Sequence, residues 1–232
     1  MSHLVEQVET SGFAIVPSFL DEEGLDALER VLPQLVDDRG GLRNLLDIPQ
    51  VFDLAGSAPL RSLIEPILGA DALPVRGMLF DKTPLANWKV SWHQDLTIAV
   101  KRRIDAAGYG PWSEKAGVVH VQAPAPVLER MLAVRLHLDE SDADNGPLRV
   151  LPGSHRVGKV RDEEIPSWRS RNREHVCLVP RGGILLMRPL VLHASSPAST
   201  PRHRRVIHLE YAACALPQGL EWRWAKRRAR AA

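Results

Sequence analysis

The chain has little of what a secreted or membrane protein needs. It holds two cysteines in 232 residues, Cys177 and Cys214, in the apolar contexts H-V-C-L-V and A-A-C-A-L. Without C-x-x-C spacing or a secretory context, both are expected to be buried free thiols in a reducing compartment. No apolar run approaches the ~18 residues of a membrane span. The opening M-S-H-L-V-E-Q-V-E-T has no basic stretch leading into an apolar one, so a signal peptide is not expected. A formal net charge of +2 offers no global argument for nucleic-acid or membrane binding. Repeats, linkers and low-complexity blocks are also missing, so no domain boundary is drawn. These absences point to a single cytoplasmic domain over residues 1–232, as a monomer or homodimer.

What is present suits that reading. Hydrophobic residues make up 44% and charged residues 25%, enough for one sizeable core. Residues 1–70 read as a largely helical coat. Gly12–Val16 is a short strand-like run, and Asp21-Glu22-Glu23 opens an amphipathic helix with Leu25, Leu28, Val31, Leu32 and Leu35 on one face. Residues 45–68 continue in helical pattern, interrupted at Pro49, Pro59 and Pro66.

From about residue 73 to 212 the texture becomes short strands punctuated by Pro and Gly. Met131–Asp139 alternates with period 2, and residues 101–116 look like an irregular connection. Many short strands with few interior helices predict a mainly β protein with flanking helices, an antiparallel sandwich or barrel. A basic tail, Lys226 to Arg230, ends the chain and is read as a solvated end.

The chemistry centres on N-W-K-V-S-W-H-Q-D-L-T, residues 87–97. On extended backbone His93 and Asp95 project to the same side. An imidazole and a carboxylate converging there are good ligands for a mid-series divalent metal. A second histidine from elsewhere would complete the two-His-one-carboxylate facial triad, which leaves open coordination positions. His193 is the candidate, and Ser195 shares its face. Eleven residues on, Arg204 heads a strand whose polar face carries Arg204, Val206, His208 and Glu210. The opposite face carries Arg205, Ile207, Leu209 and Tyr211 and should pack outward. A guanidinium facing a cavity needs a planar anionic partner.

Three segments resemble the phytanoyl-CoA dioxygenase family: F-D-K-T-P-L-A-N-W-K-V-S-W-H-Q-D-L (80–96), R-L-H-L-D-E-S-D-A-D-N-G-P-L-R-V-L-P-G-S-H (135–155) and H-A-S-S-P-A-S-T-P-R-H-R-R (193–205). The entry G-F-A-I-V-P-S-F-L-D-E-E-G-L is similar as well, so the likeness covers most of residues 12–211. The resemblance implies a double-stranded β-helix (jelly-roll, cupin-like) core and a dioxygenase that uses Fe(II), 2-oxoglutarate and O2. It places the iron on His93, Asp95 and His193, and the far carboxylate of 2-oxoglutarate on Arg204 with Ser195 assisting. Trp112 falls where the family often has an aromatic beside the cosubstrate. Arg205 is the alternative clamp, disfavoured because a one-residue slip flips the face.

The implied reaction is hydroxylation of a small organic molecule with release of succinate and CO2. A carboxylate at position 95 argues against halogenation. Two rivals stay open: a metalloenzyme using water as nucleophile, and a non-catalytic ligand-binding module on the same fold. Arg135 and His137 either touch substrate or form a network with Asp139 or Glu210, the network being preferred. His208, His120 and Gln122 are candidate pocket residues. Lys82 is read as solvated, with a substrate carboxylate as the alternative. Loops 97–118 and 156–175 are expected to set selectivity, and they carry no readable code.

Overall fold

The computed structural model describes residues 2–33 and 40–224; Leu35 and the basic run 226–230 lie outside them. Helix α1 (Ser2–Ser11) leads into strand β1 (Phe13–Val16), followed by α2 (Glu22–Val31), β2 (Gly41–Arg43), α3 (Pro49–Ala55) and α4 (Ala58–Leu68). The strands β3 (Leu73–Lys82), β4 (Val90–His93), β5 (Thr97–Val100), β6 (Trp112–Lys115) and β7 (Val118–Gln122) come next. After the short α5 (Ala125–Leu128) the chain continues through β8 (Met131–His137), β9 (Leu148–Val150), α6 (Ile165–Arg171) and β10 (His175–Cys177). It closes with β11 (Ile184–Met187), β12 (His193–Ser195) and β13 (Arg204–Ala212).

The helices form where local chemistry favours them. Asp21 caps α2 by accepting from the Gly24 N–H at 2.9 Å, with Glu22 and Glu23 in the first turn and Arg30 in the last. Pro49 and Pro59, read as interruptions, instead sit in the first turns of α3 and α4. A missing N–H costs nothing there, so these prolines start helices. Of these three, only Pro66 lies in a helix interior.

The strands build antiparallel sheets: six strands in the order β1-β11-β8-β13-β3-β2, four in the order β10-β9-β12-β4, and three in the order β5-β7-β6. The N-terminal coat thus also supplies two strands, β1 and β2, to the large sheet. The outer face of that sheet carries Leu132, Val134, Leu136, Ile207, Leu209 and Tyr211, packed in one cluster with Leu25, Leu28, Leu60 and Ile64 of the helices. The Tyr211 hydroxyl is spent on the Ala55 carbonyl of α3 at 2.9 Å. The inner face meets the four-stranded sheet, where Ala133, Leu185 and Met187 interdigitate with Leu148, Val150, Cys177 and Val191. Two facing antiparallel sheets with helices on one outer face make the jelly-roll, or double-stranded β-helix.

Because β8 and β13 are covered on both sides, the inner residues that are not apolar must be buried. They include Arg135, His137, Arg204, His208 and Glu210. That face determines what the protein can bind.

Candidate metal centre and the pocket beneath it

His93 ends β4 and pairs directly across the sheet with His193 of β12. Their ring centroids are 4.2 Å apart. Asp95 follows, its backbone N–H donating to the Pro189 carbonyl at 2.9 Å. The side chain between them fixes the direction of both. Gln94 is buried, donates to the carbonyls of Gly158 (2.8 Å) and Leu190 (2.6 Å), and accepts from the Val160 N–H (2.8 Å). With Gln94 held on one side of the backbone, His93 and Asp95 project from the other. One donor atom from each of His93, Asp95 and His193 lies within 4.8 Å of the other two.

Both imidazoles are oriented the same way. His93 Nδ1 meets the Ser91 carbonyl at 2.8 Å and His193 Nδ1 meets the Val191 carbonyl at 2.9 Å. An Nδ1–H donated to a carbonyl leaves the Nε2 lone pair free, the usual outer-sphere support of a metal-bound histidine. Burial pushes His193 down to about 4, outweighing the attraction of Asp95, so the ring is neutral and ready to ligate. Burial acts to raise Asp95, yet His193, His208, His93 and Arg76 hold it below the ordinary carboxylate range. Two imidazoles and one carboxylate suit a divalent mid-series metal with open positions.

Deeper on the same face lies a group of cations without acids. Lys82, Arg135 and Arg204 are 1%, 7% and 4% exposed. Among the described residues none of the three has a carboxylate within ion-pair distance. Arg204 Nη1 donates to the Gly146 carbonyl. Ser195 Oγ donates to the same oxygen at 2.9 Å. Lys82 Nζ donates to Ser195 Oγ at 2.8 Å and also to the Ser196 carbonyl. Arg204 Nε, Arg135 Nε and both ring nitrogens of His137 are buried with no partner. A native core rarely leaves so many polar groups unsatisfied together, and an anionic ligand with several acceptor oxygens would answer them. The residues therefore fit a dicarboxylate cosubstrate as well as a metal.

Between these two layers runs a polar chain. Arg135 Nη1 lies 2.9 Å from His208 Nδ1. Arg is always a donor, so Nδ1 accepts and the proton of His208 sits on Nε2, 3.3 Å from Glu210 Oε1. Arg76 Nη1 reaches the same carboxylate oxygen at 3.2 Å. The network thus runs through Glu210 and includes Arg135 but not His137, whose two ring nitrogens have no partner among the described residues. Asp139 lies elsewhere, bonded to Arg205 at 2.7 and 2.8 Å, with Glu29 of α2 as a second partner of that guanidinium.

His93, Asp95 and His193 converge in one donor set, and Ser195 and Arg204 meet at the Gly146 carbonyl. Trp112 does not join them. Its ring packs on the separate apolar cluster of Ile98, Val121 and Leu220, with Arg103 stacked 5.5 Å above it. Lys82, expected in solvent, is instead the most deeply buried cation of the group. Arg76 and Arg43 were not foreseen at all. The signal for Lys82 was available: Arg76, Met78, Phe80 and Lys82 share one parity on β3, and Lys82 pairs in register with Arg204.

Fold and site together define a mononuclear metalloenzyme on a double-stranded β-helix. The family model for phytanoyl-CoA dioxygenase matches residues 8–206, and the chain belongs to that family of non-haem iron, 2-oxoglutarate-dependent enzymes. Among solved structures, AviO1 from Streptomyces viridochromogenes Tue57 is similar with 21% identity and a TM-score of 0.67, over 94% of this chain and 96% of that one. EctD from S. alaskensis with 2-oxoglutarate and 5-hydroxyectoine gives 18% and 0.70, over 92% and 76%. The 2-oxoglutarate-dependent carbocyclase SnoK from nogalamycin biosynthesis gives 13% and 0.68, over 91% and 83%. No curated protein matches significantly. Among the described residues no helix is long and apolar enough to cross a membrane.

Proposed function

We propose that His93, Asp95 and His193 hold Fe(II), that Arg204, Ser195 and Lys82 hold the far carboxylate of 2-oxoglutarate, and that the enzyme hydroxylates a C–H bond of a small organic molecule. The observation that carries this reading is the pairing of a three-donor metal set with a buried cation group that has no acid of its own. Bound iron and cosubstrate supply the oxidising power, by which O2 is consumed and 2-oxoglutarate becomes succinate and CO2.

The chain's own residues bind and orient. Ser91 and Val191 carbonyls fix the two imidazoles, and Gln94 locks the turn that presents Asp95. Lys82 and Arg204 neutralise the cosubstrate, while Ser195 aligns its carboxylate. A water-activating hydrolase would have no use for Lys82 and Arg204, which makes hydrolysis the weaker reading. That SnoK is a carbocyclase keeps ring formation as a second oxidative outcome, separable by product mass.

The free cysteines fit a cytoplasmic enzyme, with burial raising the Cys177 thiol to about 12 and so keeping it inert. The deciding assay is succinate formation from 2-oxoglutarate under air with Fe(II), in wild type and in His93→Ala. Turnover in the first and none in the second is the expected result. Metal-dependent hydrolysis without 2-oxoglutarate consumption would overturn the reading.

A further inference from the structure

The inner face of the large sheet holds more positive charge than metal and cosubstrate explain. Arg43 of β2 pairs in register with Met78, Met78 with His208, and His208 with Arg135, so one row crosses the pocket from its rim to its floor. At the rim, the guanidinium of Arg43, an exposed residue, meets, among the described residues, the Met78 sulfur at 3.5 Å, and Arg76 reaches the same sulfur at 3.1 Å. A thioether is a weak acceptor and no counter-ion.

Lys115 of β6 comes to the same place. Asn44, next to Arg43, donates to the carbonyl of Ala116, next to Lys115, at 3.1 Å, tying the two segments together. Burial together with Arg43 and Arg76 depresses the Lys115 ammonium, while Asp95 and Glu210 act in the opposite sense. Among the described residues neither Arg43 nor Lys115 has a carboxylate within ion-pair distance; Glu210 is taken by Arg76 and His208, and Asp95 belongs to the metal-ligand set.

This rim lies apart from the floor along the sheet. Arg43 is level with Met78, four residues along β3 from Lys82, which is ~13 Å at strand rise. Extended 2-oxoglutarate spans roughly 6 Å from standard bond lengths, less than half of that backbone spacing. The candidate ligand Asp95 lies near Arg76, which donates to the carbonyl of Thr97, two residues beyond it, at 3.0 Å.

We propose that the substrate is itself a small anion, whose carboxylate or phosphate is held by Arg43 and Lys115 so that its other end lies at the metal. His120, whose Nδ1 faces the Val118 carbonyl at 2.9 Å, leaves Nε2 as an acceptor for a substrate hydroxyl or amine. This rests on the proposed function, since it assumes that the floor is filled by 2-oxoglutarate.

Nickel-loaded protein saturated with 2-oxoglutarate, which cannot turn over, is titrated by calorimetry with inorganic phosphate and, separately, with acetate. Saturable binding of at least one of them is expected, weakened about tenfold or more in Arg43→Gln and in Lys115→Gln and unchanged in the surface control Arg30→Gln on α2. Phosphate binding more tightly than acetate names a phosphate head group; the reverse names a carboxylate. Absence of saturable binding by either ion, or equal affinity in the rim variants, overturns the inference. Failure of 2-oxoglutarate itself to bind the nickel-loaded wild type would instead bring down the parent reading.

Discussion

Lys82 Nζ donates to Ser195 Oγ at 2.8 Å, joining the end of β3 to the strand that carries His193. An ammonium from the large sheet and a hydroxyl from the small one thereby meet on the far side of the metal ligands. Replacing Lys82 by Met keeps the volume and removes the charge. Loss of one charge-assisted contact is worth ~1.5–3 kcal/mol, so the KM for 2-oxoglutarate should rise roughly 10- to 100-fold in steady-state succinate assays. An unchanged KM would remove Lys82 from the cosubstrate site.

The same lysine makes cosubstrate binding pH-dependent. Burial and the charge of Arg204 push it down from 10.5 to about 7 in the free protein. A carboxylate arriving beside it raises that value again. Binding at pH 8 should therefore take up a proton, and affinity should fall as pH rises above about 7. Calorimetry in two buffers of different ionisation enthalpy reads the proton directly. Stability of the free protein runs the other way: between about 7 and 10.5 the unfolded lysine binds more protons than the folded one, so this group favours folding increasingly as pH rises through that window.

Arg204 and Arg205 are chain neighbours with opposite tasks. Arg204 faces the pocket with Nε unpartnered, while Arg205 grips Asp139 and Glu29 at the foot of α2. Arg204→Gln should raise the KM for 2-oxoglutarate at least thirtyfold, the equivalent of ~2 kcal/mol, with little change in denaturation midpoint. Arg205→Gln should leave that KM alone and lower stability by about 1 kcal/mol, a modest cost because the pair is partly exposed. Urea denaturation of both variants beside their kinetics tests the facing of the whole strand.

That facing was legible in the sequence because β13 alternates cleanly and a one-residue slip would bury charge among the helices. His93 and Asp95 were legible for the same reason, two positions apart on extended chain. His193 was legible as their partner from Ser195 on its own face, from Arg204 eleven residues on and from the family resemblance. The register that sets it opposite His93 was not, since that depends on which of many short strands become neighbours. Lys82 was misjudged because β3 runs on through Asp81 and Lys82, past the point where its apolar character stops. Trp112 was misplaced because residues 101–116 lack a period and hide a four-residue strand. Arg43 had no signal at all: β2 is three residues long, and only its partner β3 gives it a face.

Gly146 is the turn on which the floor of the pocket depends. Its φ is +69°, and a Cβ there would stand 2.5 Å from the Ser196 carbonyl oxygen and 2.9 Å from Lys82 Nζ. Gly146→Ala should cost ~1–3 kcal/mol of stability from backbone strain alone. It should also displace the carbonyl that Arg204 and Ser195 share, so the KM for 2-oxoglutarate should rise with the loss of stability. Ala substitution at Gly69, whose φ is +91° with no atom within 4 Å of the added Cβ, is the control that strains the backbone without touching the pocket. If the two variants match in both readouts, Gly146 has no role beyond its turn.

The metal itself should be visible as stability. Three donors on two separate pieces of chain, one of them the 3%-exposed His193, meet only when β4 and β12 are paired. An unfolded chain cannot present them together, so metal binds the native state alone and adds RT ln(1 + [M]/Kd) to its stability. At a free metal concentration about 1,000 times Kd this is ~4 kcal/mol, readable as a rise in Tm when nickel is added to chelator-treated protein. Asp95→Ala removes the ligand that bridges the two histidines and should abolish the rise. His175→Ala removes an exposed histidine and should leave it intact. A Tm that climbs equally in wild type and Asp95→Ala would show that the metal sits elsewhere, and the assignment of His93, Asp95 and His193 would fail with it.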